Sequence, residues 1–150
     1  MALEIRVVSP EWEKPLADFF AAIRVSGEQY FQPHPFTDQY AKLLVHYTGK
    51  DLYYLMVNGK IVQAYGILRG WDQGYEVPSL GIVVHPEARG QKLGELLMLF
   101  LHSAARLNGA RKIRLKVYRD NALARHLYEK LGYRFGFVEE EHQFVGTIEL

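Results

Sequence analysis

Cysteine is absent from the sequence, which excludes disulfides, thiolate zinc sites and a cysteine nucleophile. This absence is compatible with a reducing compartment, and the cytoplasm is the default expectation. No uncharged apolar run reaches the roughly 20 residues that cross a bilayer. The first residues alternate charged and apolar side chains, unlike the basic start and apolar core of a signal peptide. We therefore expect a soluble protein that does not contact membranes.

A strong excess of charge is also absent. Eighteen Lys and Arg residues against seventeen Asp and Glu residues leave a net charge of +1. This balance provides no broad basic field for a phosphate backbone, so we expect no nucleic-acid partner. None of the six histidines has another histidine three or four residues away, and no HExxH element occurs. We therefore expect no metal site.

What is present is an ordinary globular composition, with 49% apolar and 13% aromatic residues among 150. This length and composition predict one compact domain over residues 1–150. Alternation of strand-like and helix-like periodicity predicts an α/β chain in the order βααβββαβαββ. Asn58-Gly59-Lys60 is typical of a hairpin turn, and Thr37 of a helix N-cap. An acidic turn is predicted at Glu139 to Glu141. The predicted strands are 3–8, 51–57, 61–68, 77–84, 112–118, 133–138 and 142–148, and the predicted helices are 10–25, 37–47, 91–107 and 121–131.

The segment that follows the fourth predicted strand carries the main chemical signal. Gly90 and Gly94 flank the start of the third predicted helix, where no Ser, Thr, Asp or Asn is placed as a cap. Free amide groups at a helix start bind phosphate oxygens, and glycine permits their close approach. Arg89 and Lys92 add positive charge. The alternative is that Gly94 lets the helix pack tightly on the sheet, and the spacing alone leaves both interpretations open.

Neither a Walker phosphate loop nor a GxGxxG fingerprint is present. Instead, residues 80–97 resemble the acyl-CoA motif of the GNAT superfamily of N-acetyltransferases, Gln/Arg-x-x-Gly-x-Gly/Ala. The match falls on Arg89 and Gly94, with Lys92 in place of the middle glycine. Residues 121–133 are similar to a second family segment, Asn-x-x-Ala-x-x-Leu-Tyr-x-x-x-Gly-Phe/Tyr. The two motifs occur in the family's order and spacing.

The resemblance implies the GNAT acyl-CoA N-acyltransferase fold, with a mostly antiparallel mixed sheet that splays near Val84 and helices on both faces. It also implies acetyl-CoA as co-substrate. The backbone of Ile82, Val83 and Val84 would pair with the pantetheine arm, which Asn121 would also contact. The pyrophosphate would be held by Arg89, Gly90, Gln91, Lys92, Leu93, Gly94 and Glu95.

The same resemblance places Tyr128 beside the sulfur of the thioester. A thiol has a reference pKa near about 8.5 and a phenol near about 10, so the phenol is protonated at neutral pH. It can then donate a hydrogen bond or a proton to the leaving sulfur. The alternative is a structural tyrosine on the apolar stripe of the fourth helix.

An attacking ammonium must lose a proton, because an amine of pKa about 10.4 is mostly charged at pH 7. Glu76, just before the fourth strand, is the first candidate for the base. A solvated loop charge is the alternative for this residue. His85 is a further candidate, with a turn at the strand end as its alternative. A backbone N–H near Val84 would donate to the oxyanion.

Tyr30, Phe31, His34 and Phe36 are expected to border the acceptor pocket, since aromatic faces with an imidazole suit a small polar amine. An amino sugar or amino-acid derivative would fit. A peptide N-terminus or lysine is the competing acceptor, and a sensor module that binds acyl-CoA without turnover is the non-enzymatic alternative. Residues 111–116 form a basic run that is either an exposed strand face or lies near an anionic ligand. By resemblance, a homodimer through the final strands is plausible.

Overall fold

A computed structural model describes residues 2–138 and 142–150. Over these residues the predicted order of elements is confirmed, and the acidic turn predicted at Glu139 to Glu141 lies outside them. Short 3₁₀ turns at Pro10–Trp12, Trp71–Gln73 and Pro86–Ala88 join some elements. The elements are β1 (Leu3–Val7), α1 (Glu13–Ser26), α2 (Asp38–Val45), β2 (Leu52–Asn58), β3 (Ile61–Arg69), β4 (Ser79–Val84), α3 (Leu93–Leu107), β5 (Lys112–Tyr118), α4 (Ala122–Lys130), β6 (Arg134–Val138) and β7 (Gln143–Glu149).

The strands form one sheet in the order β1-β2-β3-β4-β5-β7-β6. Neighbouring strands are antiparallel except β4 and β5, which are parallel and share a single register pair, Ser79 with Arg114. The N–H of Arg114 also donates to the carbonyl of Pro78 at 3.0 Å. Beyond this point the two strands have no further register pair toward Val84 and Tyr118. The sheet therefore opens between β4 and β5, as the predicted splay requires.

Two apolar layers cover the two faces of the sheet. Alternation along β3 turns Tyr65 and Ile67 toward α1 and α2, whereas Leu68 contributes to the layer beneath α3. In α1 and α3 the buried residues recur at helical spacing, so each helix turns one apolar stripe to the sheet. No helix among residues 2–138 and 142–150 is long and apolar enough to span a membrane. The layer beneath α3 contains residues of both β4 and β5, whereas the layer under α1 and α2 contains Val83 of β4 and no residue of β5.

Candidate active site

The splay between β4 and β5 opens a cleft of about 830 Å³. Its walls are the length of β4, residues of β5, the loop before α3, one side of α4 as far as Tyr128, and the 28–33 segment between α1 and α2. Because β4 is paired with β3 on one edge only, its backbone between Gly81 and Val84 lacks a strand partner on the β5 side. Such an edge can hydrogen-bond to an extended ligand in the manner of an added strand.

The start of α3 opens onto this cleft without a side-chain cap. Its N-cap residue is Lys92, whose side chain makes no capping hydrogen bond, while Gly90 and Gly94 line the cleft. A Cβ built on Gly94 would lie 3.7 Å from Ile82 Cδ1 and from Val84 Cγ2, which is ordinary van der Waals contact. Tight packing on the sheet therefore does not require glycine here. The geometry favours the phosphate interpretation over the packing alternative.

Lys92 adopts a left-handed backbone, with φ 63° and ψ 21°. This is the position at which the family motif has its middle glycine. The left-handed conformation raises the conformational energy of a residue with a Cβ by roughly 1 to 2 kcal/mol, and it does not do so for glycine. The chain therefore retains the turn of the motif at a cost in conformational energy.

Seven of the predicted cofactor residues line the cleft, and four do not. Gln91 donates its side-chain amide to the carbonyl of Ala88 at 3.3 Å, and Glu95 pairs with Lys130 at 3.2 Å. The lining residues are Ile82, Val83, Val84, Arg89, Gly90, Gly94 and Asn121, whereas Gln91, Lys92, Leu93 and Glu95 are outside the lining. Of the four outside the lining, Gln91 and Lys92 lie in the loop before α3, and Leu93 and Glu95 lie in the first turn of α3.

Tyr128 lines the cleft from the last turn of α4. Its hydroxyl makes no hydrogen bond to a described residue, and burial raises its pKa to about 12. Behind it the ring of Tyr133 lies 5.9 Å away, and the hydroxyl of Tyr133 is 2.7 Å from Nε2 of the buried His102. Burial also lowers the pKa of His102. Tyr128 is therefore protonated and its hydroxyl is available to a ligand. Its ring packs against Tyr133, which is hydrogen-bonded to His102.

The two candidate bases are placed differently from the cleft residues. Glu76 is exposed and does not line the cleft, so the structure does not bring this carboxylate to the candidate site. His85 accepts a hydrogen bond from the N–H of Glu87 at 3.1 Å, and its ring packs 5.9 Å from that of Phe19. This is the turn role that was the alternative for His85.

Only part of the predicted acceptor group reaches the cleft. Tyr30 and Phe31 line it, but Phe36 is buried among core rings and His34 packs beside it. Nε2 of His34 lies 2.9 Å from the hydroxyl of Tyr65, and burial lowers the pKa of His34 to about 4. The structure therefore does not bring His34 and Phe36 to the cleft with Tyr30 and Phe31. Their segment has no periodicity, so the sequence does not show which side chains turn inward.

Two cleft residues that the sequence analysis missed hold the 28–33 segment in place. Glu28 forms an ion pair with Arg89 at 3.2 Å, which joins this segment to the loop before α3. Arg69 donates to the carbonyl of Pro33 at 3.2 Å. A signal for each exists in the sequence, because Glu28 follows a helix-ending glycine and Arg69 is the charged residue at the end of a largely apolar strand. Neither signal is specific without the fold.

Residues 16–133, more than half of the chain, match the model of the acetyltransferase (GNAT) family. The chain belongs to the GNAT acetyltransferase family. It is an acyltransferase by this membership, and acetyl-CoA is the family's co-substrate. Its α/β fold with a seven-stranded mixed sheet is the fold of solved family members.

Three solved structures illustrate the likeness. A GCN5-related N-acetyltransferase from Kribbella flavida is 25% identical, with a TM-score of 0.81 over 99% of this chain and 98% of that one. The PaiA N-acetyltransferase from Thermoplasma acidophilum, in complex with coenzyme A, is 17% identical, with a TM-score of 0.79 over the whole of both chains. A ribosomal-protein-S5-alanine acetyltransferase from Vibrio fischeri is 10% identical, with a TM-score of 0.81 over 99% and 93%.

The cleft fits the chemistry of acetyl-CoA. The free edge of β4 can pair with the amides of a pantetheine arm, and the uncapped start of α3 beside Arg89 suits a pyrophosphate. No side chain obstructs Gly90, since nothing lies within 4 Å of a Cβ built there. The walls thus offer both a strand edge and an anion site to one extended ligand.

Proposed function

We propose that the protein transfers the acetyl group of acetyl-CoA to the primary amine of a small molecule by direct attack, with Tyr128 as general acid. The observation that carries this proposal is the position of Tyr128. Its hydroxyl, which has no hydrogen-bond partner among the described residues, lines the same cleft as the uncapped start of α3 and the free edge of β4. One ligand can therefore reach the anion site, the strand edge and the acid together.

In this proposal the cofactor residues divide into three groups. The backbone of Ile82, Val83 and Val84 pairs with pantetheine, which also meets Asn121. Arg89 and the backbone N–H groups of residues 90–95, among them those of the uncapped start of α3, hold the pyrophosphate. This arrangement puts the thioester between β4 and α4. In this proposal Gln91, Lys92, Leu93 and Glu95 contribute through the backbone, since their side chains are outside the cleft lining.

The amine nitrogen attacks the thioester carbonyl carbon to form the C–N bond. A backbone N–H near Val84 donates to the carbonyl oxygen as negative charge develops there. Tyr128 donates its phenolic proton to sulfur as the C–S bond breaks. The nitrogen loses a proton in turn, and this proton restores the phenol through solvent. The products are an N-acetyl amide and a free thiol, and no residue is assigned as base.

The raised pKa of Tyr128 suits donation to sulfur within this cleft. A phenol of pKa about 12 is a weaker acid than a thiol of pKa about 8.5 in water. Burial disfavours every anion, so the desolvation that keeps Tyr128 protonated also raises the proton affinity of the departing thiolate. The difference between the pKa of the phenol and that of the leaving thiol is therefore smaller in the cleft than in water.

The cover over the acceptor end favours a small acceptor over a lysine of a folded protein. The 28–33 segment is tied down by the Glu28–Arg89 ion pair and by the bond from Arg69 to Pro33. Phe31 lies against β4, where a Cβ on Gly81 would approach its ring to 2.5 Å. A peptide terminus remains the competing acceptor, since the fold also occurs in the ribosomal-protein acetyltransferase from Vibrio fischeri.

Thermal melting with acetyl-CoA, CoA, ATP and NAD in parallel tests the cofactor. A ligand at 100 times its dissociation constant stabilises by about 2.7 kcal/mol, which raises the melting temperature by roughly 5 to 11 °C. We expect this shift with the two CoA species only. Release of free thiol from acetyl-CoA over a panel of small amines, peptides and a lysine-rich protein then tests turnover. No CoA shift contradicts the proposal, and a CoA shift without turnover of any amine favours the sensor alternative.

A further inference from the structure

Three polar side chains stand in register across the closed end of the splay. Arg69 on β3 pairs with Ser79 on β4, and Ser79 is the one residue of β4 that pairs with β5, at Arg114. Register partners point to the same face of a sheet, and adjacent strands are about 4.8 Å apart. The hydroxyl of Ser79 is thus flanked by an arginine on each side. All three residues line the cleft.

This row faces the acceptor side of the cleft. Arg69 donates to Pro33 in the 28–33 segment, and Gly81, two residues after Ser79 on the same face of β4, lies beneath Phe31. The pyrophosphate site is at the other end of β4, after Val84. The two arginines are therefore separated from the proposed phosphate grip by the length of the strand.

Positive charge in this part of the cleft is not balanced by acids. Among the described residues that line the cleft, the only carboxylate is Glu28, and it is paired with Arg89. Arg69 uses one of its five N–H donors on Pro33, and no side-chain partner of Arg114 occurs in the described chain. Two guanidinium groups and a hydroxyl thus retain donors for a ligand.

We propose that the acceptor is a small amine that also carries an oxyanion, a carboxylate or phosphonate, held by Arg69, Ser79 and Arg114. The proposal rests on the proposed acetyl transfer. Guanidinium groups bind oxyanions through paired charge-assisted hydrogen bonds. An amino sugar without an oxyanion would leave these donors without such a partner.

The same row assists the attack. A cation near an ammonium group disfavours its charged form and lowers its pKa. Each unit by which the ammonium pKa falls raises the fraction of neutral amine about tenfold at neutral pH. The arginines therefore hold one end of the acceptor and help to activate the other, which reduces the need for a carboxylate base.

The test uses matched pairs of amines, each an amino acid or aminoalkylphosphonate beside an amide, ester or simple amine that lacks the oxyanion. For each, kcat/KM is measured by thiol release from acetyl-CoA in wild type, Arg114→Gln, Arg69→Gln and Lys112→Gln. Lys112 lies on the same face of β5 but outside the cleft and serves as control. We expect kcat/KM to be roughly tenfold to hundredfold higher for the member that carries the oxyanion. This preference should be lost in Arg114→Gln and retained in Lys112→Gln. Arg114→Lys should restore part of it, and the carboxylate and phosphonate series identify which oxyanion fits.

Other outcomes separate the two proposals. Equal turnover of the members with and without the oxyanion overturns the oxyanion site and leaves acetyl transfer standing. A loss of the CoA-induced melting shift in Arg114→Gln also overturns it, because the arginine would then bind the cofactor. No turnover of any amine contradicts acetyl transfer. In that case the amines that carry an oxyanion must still raise the melting temperature of the CoA-bound wild type, and must raise that of CoA-bound Arg114→Gln less. If they do not, the oxyanion site is refuted too.

Discussion

The first turns of α3 and α4 both meet the cleft, but they meet it with different groups. At the start of α3 the N-cap Lys92 has a left-handed backbone and makes no capping bond. At the start of α4 the side chain of Asn121 accepts from the N–H of Ala124 at 3.4 Å. Helix α3 leaves backbone donors for a ligand, whereas α4 satisfies one of its own backbone donors with the side chain of its N-cap residue.

The contrast extends to the side chains. Glycines at 90 and 94 keep the approach to α3 bare, while α4 carries Tyr128 into the cleft. We infer that α3 binds the cofactor through its backbone and that α4 acts on the reacting sulfur through a side chain. Substitutions at the two helices should therefore affect different kinetic constants.

The largest effect is expected from removal of the phenol of α4. Tyr128→Phe should lower kcat by roughly 10² to 10⁴, since a positioned proton donor contributes about that factor. The affinity for acetyl-CoA should be unchanged, because the hydroxyl is proposed to act on the leaving sulfur. Steady-state kinetics and calorimetric binding give the two numbers. Tyr75→Phe, at an exposed tyrosine outside the cleft, is the control, and an unaltered kcat in Tyr128→Phe would remove the acid from the mechanism.

The opposite pattern is expected at α3. Gly94→Glu should weaken CoA binding about tenfold or more, because a carboxylate at the approach to the free amides repels phosphate, whereas the family motif allows alanine at this position. Without ligand, Gly94→Ala should be as stable as wild type or about 0.5 kcal/mol more stable, since a Cβ meets only ordinary contacts and alanine favours helix. Melting with and without CoA measures both, with Gly136→Ala in β6 as control. Lost stability with undiminished binding would restore the packing interpretation of Gly94.

The cap of α4 can be separated from a ligand contact at the same residue. Asn121→Ala should lower the free energy of unfolding by about 1 kcal/mol through loss of the cap, whereas Asn121→Asp keeps a capping oxygen and the stability. Both remove the amide donor proposed for pantetheine, so both should weaken CoA binding. Denaturant unfolding and calorimetry distinguish the two roles. If Asn121→Asp binds CoA as well as wild type, the residue is a cap only.

The backbone strain at the start of α3 predicts a gain in stability. Lys92→Gly should raise the free energy of unfolding by about 0.5 to 1 kcal/mol, because glycine accepts the left-handed conformation. Lys42→Gly in the last turn of α2 should do the reverse and cost about 1 kcal/mol. Urea unfolding of the two variants is the measurement. The expectation fails if both substitutions destabilise equally.

The smallest effect concerns pH. Because the pKa of Tyr128 is raised, the phenol stays protonated, and activity that depends on it is lost only as pH rises toward about 12. At pH 10 an ordinary phenol is about half ionised, but one of pKa 12 only about one percent. The kcat of wild type should therefore show no alkaline limb between pH 8 and 10. A limb centred near 10 that is missing in Tyr128→Phe would show an unperturbed phenol.

The sequence was sufficient for features that depend on local pattern. Apolar periodicity located every helix and strand, and Asn58-Gly59-Lys60 and Thr37 marked a hairpin and a helix start that the structure contains. Boundaries shifted by a few residues where local chemistry intervened. The first helix, for example, begins with a 3₁₀ turn at Pro10–Trp12 before α1.

Features that depend on how distant segments meet were not accessible. His34 lies between prolines in an aperiodic segment, and only the fold shows that it bonds to Tyr65 in the core. The ion pair of Glu28 with Arg89 joins residues 61 positions apart. The row of Arg69, Ser79 and Arg114 requires the register of three strands. The basic run at 111–116 indicated either an exposed strand face or a nearby anionic ligand, but it did not show that Arg114 lies beside Ser79 and Arg69.

Calorimetric titration of wild type with pantetheine, 4′-phosphopantetheine and CoA tests the division between the two helices most directly. If the amides of α3 hold the pyrophosphate, affinity rises with each added phosphate, and CoA binds at least roughly a hundredfold more tightly than pantetheine, which corresponds to about 2.7 kcal/mol. Equal affinities of pantetheine and CoA would show that the start of α3 holds no phosphate and would contradict the account.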